Sequence, residues 1–243
     1  NLKILHYHIG SQIEKLSDVI GPIKYALDVY FKVKEKNPSL DTLDIGGGMP
    51  IPYTRNKSYP VDKLMEKILK LIKSESEKRG IPPPNLICEW GRYIVAPAQI
   101  TVFKIIDTKA IANKKSPAKK WYVIDGSFMN DLLDTWAIGQ KWAISPANNK
   151  NDSDLNDVWL AGSSCDSDDI YTGVHGTVTL PDYDSATGEA MYIVVHDTGA
   201  YQDPLAAHHC MLSSPLKLIA ENGHIVVARK RESPDDVGKG FGW

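Results

Sequence analysis

The chain has 243 residues, 42% of them hydrophobic and 24% charged, with a formal net charge of −2. This is the balance of an ordinary globular protein with room for one large domain or two modest ones, and it excludes the basic surface that nucleic acid or an anionic membrane would require. Three cysteines, Cys88, Cys165 and Cys210, show no CxxC or Cys/His spacing, which argues against a disulfide framework or a zinc site and makes a reducing cytoplasm the expected compartment.

Asn1 to His6 opens directly on a strand-like run without an initiator Met, so the expectation is the later part of a longer chain. Residues 2 to 9 read as a short buried strand ending in His8-Ile9-Gly10-Ser11-Gln12, where the chain must turn. A helix follows, with Ser17 as N-cap, Pro22 in its first turn, and Ile20, Ile23, Leu27, Tyr30 and Phe31 at helical spacing up to Asn37-Pro38. Leu40 to Ile45 is the next strand, stopped by Gly46-Gly47-Gly48. Pro60 starts a second helix with the face Val61, Leu64, Ile68, Leu71 and Ile72. After Pro82-Pro83-Pro84, the strand Leu86-Ile87-Cys88 delivers Glu89 at its end.

Alternating strands and helices predict a parallel α/β arrangement, in which functional groups gather at the carboxyl ends of the strands. His8, the glycine run and Glu89 all occupy such ends. After about Pro97 the pattern changes to β-rich runs at 100–106, 121–124, 176–180, 191–195 and 224–228, which predicts a mostly antiparallel domain over 98–243 behind an α/β part over 1–97. The basic cluster from Lys114-Lys115 to Lys119-Lys120 reads as a hairpin or loop tip, and Pro146 to Asp157, rich in Asn and Asp, as a mobile loop.

Three glycines after a strand leave backbone N–H groups unshielded, so a phosphate can sit against the turn; a plain tight turn is the other reading. Arg92 can add a charge-assisted contact to the same anion. His8 can stack on a planar cofactor, and Glu89 can pair with a ring nitrogen, which favours the protonated ring. Singly, each has a structural explanation, His8 as a core histidine and Glu89 as an ion-pair partner; together they describe a site for pyridoxal phosphate. Gly162-Ser163-Ser164-Cys165-Asp166-Ser167-Asp168-Asp169 places a thiol beside carboxylates after the apolar run 158–161, and offers a proton donor and an anion to one ligand. A buried cysteine beside a solvated turn would have the same local sequence.

Five blocks carry a resemblance: His8 to Gln12, Leu43 to Gly48, Glu89-Trp90-Gly91-Arg92-Tyr93, Cys165-Asp166-Ser167 and Gly199-Ala200-Tyr201-Gln202. In order and rough spacing the chain resembles the fold-type III pyridoxal-phosphate decarboxylases, the group acting on ornithine, arginine and diaminopimelate. The resemblance implies the C-terminal part of a (β/α)8 barrel followed by a β domain. It also implies pyridoxal 5'-phosphate as cofactor, with His8 on the ring face, Glu89 on the ring nitrogen, Ser11, Gly48, Arg92 and Tyr201 around the phosphate, and Gly46, Gly47 and Gly91 among the cofactor-binding residues. Cys165 is then the acid that protonates the carbanion, Asp166 holds the distal cation of an amino-acid substrate, and a homodimer with shared sites follows.

Diaminopimelate decarboxylases carry Glu where this chain has Asp166, and Ser127 to Ile138 is similar to the specificity segment of biosynthetic arginine decarboxylases, placing Asp134 as a second anion for the distal cation. These features predict arginine as substrate first, then lysine or ornithine. Diaminopimelate is the alternative within enzymes; the others are a non-catalytic regulatory homologue and a scaffold holding a different phosphate ester. The family's Schiff-base lysine lies upstream of the His8 block, and Lys3, Lys24 and Lys104 stand in no such motif. Three strands cannot close a barrel, so further residues or a companion chain are expected to supply the rest.

Overall fold

The computed structural model describes residues 1–54, 58–148, 154–186 and 188–243. The chain forms two compact units, Asn1–Ala96 and Pro97–Trp243.

In the first unit, β1 (Ile4–His6), β2 (Thr42–Asp44) and β3 (Asn85–Ile87) form a parallel sheet in the order β1-β2-β3. Between them run α1 (Leu16–Lys36) and α2 (Val61–Arg79), and the short α3 (Gly91–Val95) follows β3. Every residue of β2 is buried, as expected for a central parallel strand covered by helices. Ile23, Ala26, Leu27, Tyr30 and Phe31 of α1 pack with Leu64, Ile68 and Ile72 of α2 against Leu43 and Ile45.

Helix α1 begins earlier than its capping pattern suggests. Lys15 occupies the N-cap, Ser17 is inside the first turn with its hydroxyl donating to Asp18 Oδ1 (3.0 Å), and Pro22 is interior. Pro22 removes the donor that the Asp18 carbonyl would receive, at a typical cost of about 3 kcal/mol. Burial of Ile23, Leu27 and Phe31 contributes about 1.5–3 kcal/mol each, so packing overrides the local signal. Helix α2 ends as its sequence predicts. Gly80 adopts φ 63°, and the N–H groups of Ile81 and Gly80 donate to the carbonyls of Ser76 and Glu77, which closes the helix with a left-handed residue. Arg79 bonds Glu75 Oε2 (2.5 Å) and Asp28 of α1 and lies 5.0 Å from the Phe31 ring centre, joining the helices at their outer rim.

The second unit is built on a sheet of β4 (Thr101–Ala110), β5 (Lys120–Ile124), β6 (Ile144–Pro146), β7 (Leu155–Ala161), β8 (Ile170–Tyr171), β9 (Val178–Pro181) and β10 (Tyr192–Val195). The order is β6-β10-β4-β5-β7-β8, with β9 also paired to β7. The pairings are antiparallel except β5 with β7. Alternating residues Phe103 and Ile105, Tyr122 and Ile124, Val158 and Leu160, and Ile193 and Val195 form its core. The unit also contains short helices α4 (Asp134–Ile138), α5 (Gln202–Leu205) and α6 (Pro234–Gly240), and β11 (Lys217–Glu221) pairs with β12 (His224–Arg229) as a separate hairpin.

The basic cluster at 114–120 lies where β4 turns into β5, with Ala110 opposite Lys120. The expected loop 146–157 is only partly one: β6 ends at Pro146, residues 149–153 lie outside the described residues, and Leu155–Asp157 already belong to β7. Asp157 reads as a turn former, yet its Oδ1 accepts a bond from Thr179 Oγ1 of β9 (2.7 Å), a cross-strand pair that satisfies it in the sheet. Strands β6, β7, β8 and β11 are not among the expected strands; β6, β8 and β11 carry no period-2 alternation of their own, and in β7 the apolar run 158–161 reads only as the approach to the Cys165 loop. Among the described residues, no helix is long and apolar enough to cross a membrane.

Candidate active site

In the first unit, the groups at the carboxyl ends of β1, β2 and β3 meet at the glycine turn. Asp44, the last residue of β2, accepts the Gly46 N–H on Oδ1 (2.9 Å) and faces His6 Nδ1 with Oδ2 (3.0 Å). This fixes the start of the turn. The Gly47 N–H donates to His8 Nδ1 (3.1 Å), so a neutral His8 ring carries its proton on Nε2. The Glu89 N–H donates to the Gly46 carbonyl (2.9 Å), and the Ile13 N–H to the Gly48 carbonyl (2.9 Å), drawing the segments after β3 and β1 onto the same turn.

The glycines are required by space. Gly46 has φ 66°, and an added Cβ would overlap the Tyr7 carbonyl oxygen; at Gly47 it would meet His8 Cε1 and the Glu89 carbonyl at 3.0 Å. Gly48, at φ 114°, has the Gly10 carbonyl 3.2 Å from the same point. The turn is thus bare of side chains where it packs against His8 and the Glu89 backbone. From α3, Arg92 reaches the segment after β1, with Nε donating to Ser11 Oγ (3.1 Å) and Nη1 to Tyr53 Oη (2.7 Å). Gln12 braces the rim through two bonds with the backbone of Ile51 (3.1 and 2.8 Å). Tyr53 has no signal of a site role in the sequence, and Gln12 stands in the His8 to Gln12 block with no role of its own, because each acts by holding a segment about forty residues away.

This set fits pyridoxal phosphate: a glycine turn with an arginine and a hydroxyl for a phosphate, an imidazole for a ring face, and a carboxylate for a ring nitrogen. Beneath it, burial pushes the Cys88 thiol up to about 11, with the Asp44 charge adding to the effect, so this cysteine is a neutral part of the packing. His6, Asp44 and Glu89 each offer one ligand atom, all within 4.8 Å of one another. A divalent cation could be held there only by drawing on the Glu89 carboxylate that the ring nitrogen would need.

The remaining predicted residues belong to the second unit. The Cys165–Asp166 loop is anchored by Asp169, 1% exposed, whose carboxylate accepts the N–H groups of Phe128 (2.7 Å) and Ser164 (3.3 Å). Asp166 Oδ1 accepts the Asp168 N–H (2.9 Å) and Oδ2 faces His209 Nε2 (2.9 Å); these two bonds hold its carboxyl below the usual range. Cys165 is exposed, and its Sγ lies 3.4 Å from Cys210 Sγ. Asp134 is buried in the first turn of α4, where Oδ2 accepts from Gln202 Nε2 (2.9 Å) and its N–H donates to Gln202 Oε1 (3.3 Å). Tyr201 stands before α5 at φ 68°, a backbone conformation uncommon for a residue with a Cβ. Neither His209 nor Cys210 was expected beside the Cys165–Asp166 loop.

Two family models cover the chain: "pyridoxal-dependent decarboxylase, pyridoxal binding domain" matches residues 1–96, and "pyridoxal-dependent decarboxylase, C-terminal sheet domain" matches residues 53–199. The chain belongs to the pyridoxal-dependent decarboxylase family. Its cofactor is accordingly pyridoxal 5'-phosphate, and its architecture is the expected one, βα units of the family's barrel and a sheet domain. Among curated relatives, diaminopimelate decarboxylase of Staphylococcus aureus is 30% identical over 233 residues, 96% of this chain and 52% of the relative. The crystal structure of diaminopimelate decarboxylase from Methanocaldococcus jannaschii matches with a TM-score of 0.82 at 27% identity, over 96% of this chain and 50% of the other. The biosynthetic arginine decarboxylase of Campylobacter jejuni matches with a TM-score of 0.87 at 16% identity, over 99% and 55% of the two chains. The chain spans about half the length of the curated relatives it matches.

Proposed function

We propose that the protein containing this chain is a pyridoxal-phosphate-dependent decarboxylase of a basic amino acid, with diaminopimelate as its substrate. The observation that carries the reaction class is the convergence of His8, Ser11, Gly46–Gly48, Glu89 and Arg92 at one set of strand ends within the region matching the pyridoxal binding domain. The substrate rests on relatives named diaminopimelate decarboxylases at 27–30% identity. Arginine, the first expectation, ranks second. At 16% identity the likeness to an arginine decarboxylase is one of fold, and what favours arginine is the short Asp166 carboxylate and the similarity of Ser127 to Ile138 to the specificity segment of arginine decarboxylases.

When bound, the cofactor supplies an electron sink for the pair left as carbon dioxide departs. The residues of this chain have the following parts. Gly48, Ser11 Oγ and the Arg92 guanidinium would hold the phosphate dianion together with Tyr201, while the Gly46 and Gly47 N–H groups stay on Asp44 and His8 and shape the turn. The Glu89 carboxylate would favour a proton on the ring nitrogen. His8, fixed by the Gly47 N–H, would lie against one ring face. Asp166 anchors the distal cation, with Asp134 as second anion, and the Cys165 thiol gives a proton to the substrate carbon. In this reading two copies of the protein share their sites, Cys165 and Asp166 serving the neighbouring subunit.

The test is carbon dioxide release by the intact, cofactor-loaded protein from diaminopimelate, arginine, lysine and ornithine. Diaminopimelate is expected to lead in kcat/KM by at least about tenfold, equivalent to about 1.4 kcal/mol. A lead for arginine would move the substrate to the second reading, and no release from any of the four would remove the decarboxylase reading.

A further inference from the structure

The Cys165–Cys210 contact has no part in the function proposed above. The two thiols are 45 positions apart in sequence, both exposed, with Sγ atoms 3.4 Å apart. A disulfide bond is about 2.05 Å long, so closure needs the sulfurs to approach by only about 1.4 Å. One short segment positions both. The Phe128 N–H bonds the buried Asp169 that anchors the Cys165 loop. Two residues on, the side chain of Asn130, 4% exposed, donates from Nδ2 to the His209 carbonyl (2.9 Å) and accepts the His209 N–H on Oδ1 (3.0 Å), which fixes the residue next to Cys210. The His209–Asp166 pair at 2.9 Å then ties the two cysteine-bearing segments directly to each other. Cys210 itself has φ 56° and Met211 φ 59°, so the backbone adopts two successive left-handed residues where it presents the thiol.

We propose that Cys165 and Cys210 form an oxidisable dithiol that closes to a disulfide on meeting a small-molecule disulfide such as oxidised glutathione. One cysteine thiolate attacks a glutathione sulfur, forming a mixed disulfide and expelling one glutathione thiolate. The other cysteine attacks the protein sulfur of that mixed disulfide, forming the Cys165–Cys210 bond and expelling the second glutathione. Overall, two protein thiols are oxidised, one glutathione disulfide is reduced, and the two thiol protons end on two glutathiones. The contact with Cys165 raises the Cys210 thiol above its ordinary value, so little of it is thiolate and it is not the sulfur that attacks first. Cys88, buried in the first unit, stays out of the exchange. The proposal stands on the thiol geometry and does not depend on the proton-donor role given to Cys165.

The intact protein, free of substrate, is incubated with oxidised glutathione, digested without reduction and mapped by mass spectrometry. The expected product is a cross-linked pair of peptides containing Cys165 and Cys210, lighter by two hydrogen atoms, reversed by dithiothreitol and retained in Cys88→Ser. Cys210→Ser is expected to stop at a glutathione adduct on Cys165, at the intermediate stage. A stable glutathione adduct on wild-type Cys165 with Cys210 still reduced, a bond between the Cys165 residues of two subunits, or no exchange at either thiol would overturn the proposal.

Discussion

The glycine turn and the Cys165 loop are built on opposite principles. At the turn, position is set by backbone and by the absence of side chains: three strand ends converge, and the Gly46 carbonyl and Gly47 amide bond Glu89 and His8 directly. In the Cys165 loop, position is set by buried polar side chains, Asp169 and Asn130, which reach from one segment to the backbone of another. The first arrangement is packed too closely for a side chain and fails when a carbon is added. The second fills space and fails when a partner is removed.

Adding a carbon at the turn has the largest expected effect. Gly46→Ala puts a Cβ against the Tyr7 carbonyl at a φ of 66°, and both the clash and the backbone oppose it. Cofactor affinity of the intact protein, followed by absorbance titration, should fall by at least about 100-fold, or about 2.7 kcal/mol. Affinity within a few-fold of wild type would mean that the turn is not what shapes the pocket.

Removing a partner from the loop comes next. Asp169→Ala leaves the N–H groups of Phe128 and Ser164 without their acceptor in a buried place. The expected loss is about 2 kcal/mol of stability by denaturant titration, with cofactor affinity unchanged. If affinity fell as steeply as for Gly46→Ala, the distinction between the two regions would not hold.

A third, smaller effect separates the regions by pH. Asp131 accepts the Ser127 N–H (2.8 Å) beside the Cys165 loop, and burial, reinforced by the Asp169 charge, pushes its carboxyl up to about 6. A native value above the unfolded one means that the native state holds the proton more tightly. The stabilisation is therefore full below about pH 4 and is lost as pH rises through about 6. Asp131→Asn mimics the protonated form, and should add about 1–2 kcal/mol at pH 8 and nothing near pH 4, as read from denaturation midpoints across that range. A pH-independent change would place the carboxylate in water instead.

The same contrast explains what the sequence shows in advance. His8, Gly46–Gly48, Glu89 and Arg92 are legible because each follows a strand with local signals, hydrophobic runs broken by glycine or ended by a charged residue. Their convergence follows from parallel topology alone. The pairings of Asn130 with His209, Cys165 with Cys210, and Arg92 with Tyr53 join positions 79, 45 and 39 residues apart, and nothing within a short window specifies them. The same limit applies to boundaries. Ser17 and Pro22 look like a helix start, yet the apolar face from Ile23 to Phe31 carries the helix back to Leu16. Asp157 looks like a loop residue until Thr179 is known to lie across from it.

The most direct test of the central claim is Glu89→Gln, assayed in the intact protein for both cofactor binding and carbon dioxide release from diaminopimelate. If the Glu89 carboxylate keeps the ring nitrogen protonated, the neutral amide should leave cofactor affinity within about threefold, because Arg92, Ser11 and the glycine turn still hold the phosphate. Turnover should fall by at least about 100-fold, about 2.7 kcal/mol of transition-state stabilisation. Wild-type turnover in Glu89→Gln would contradict the placement of the cofactor ring and the account built on it.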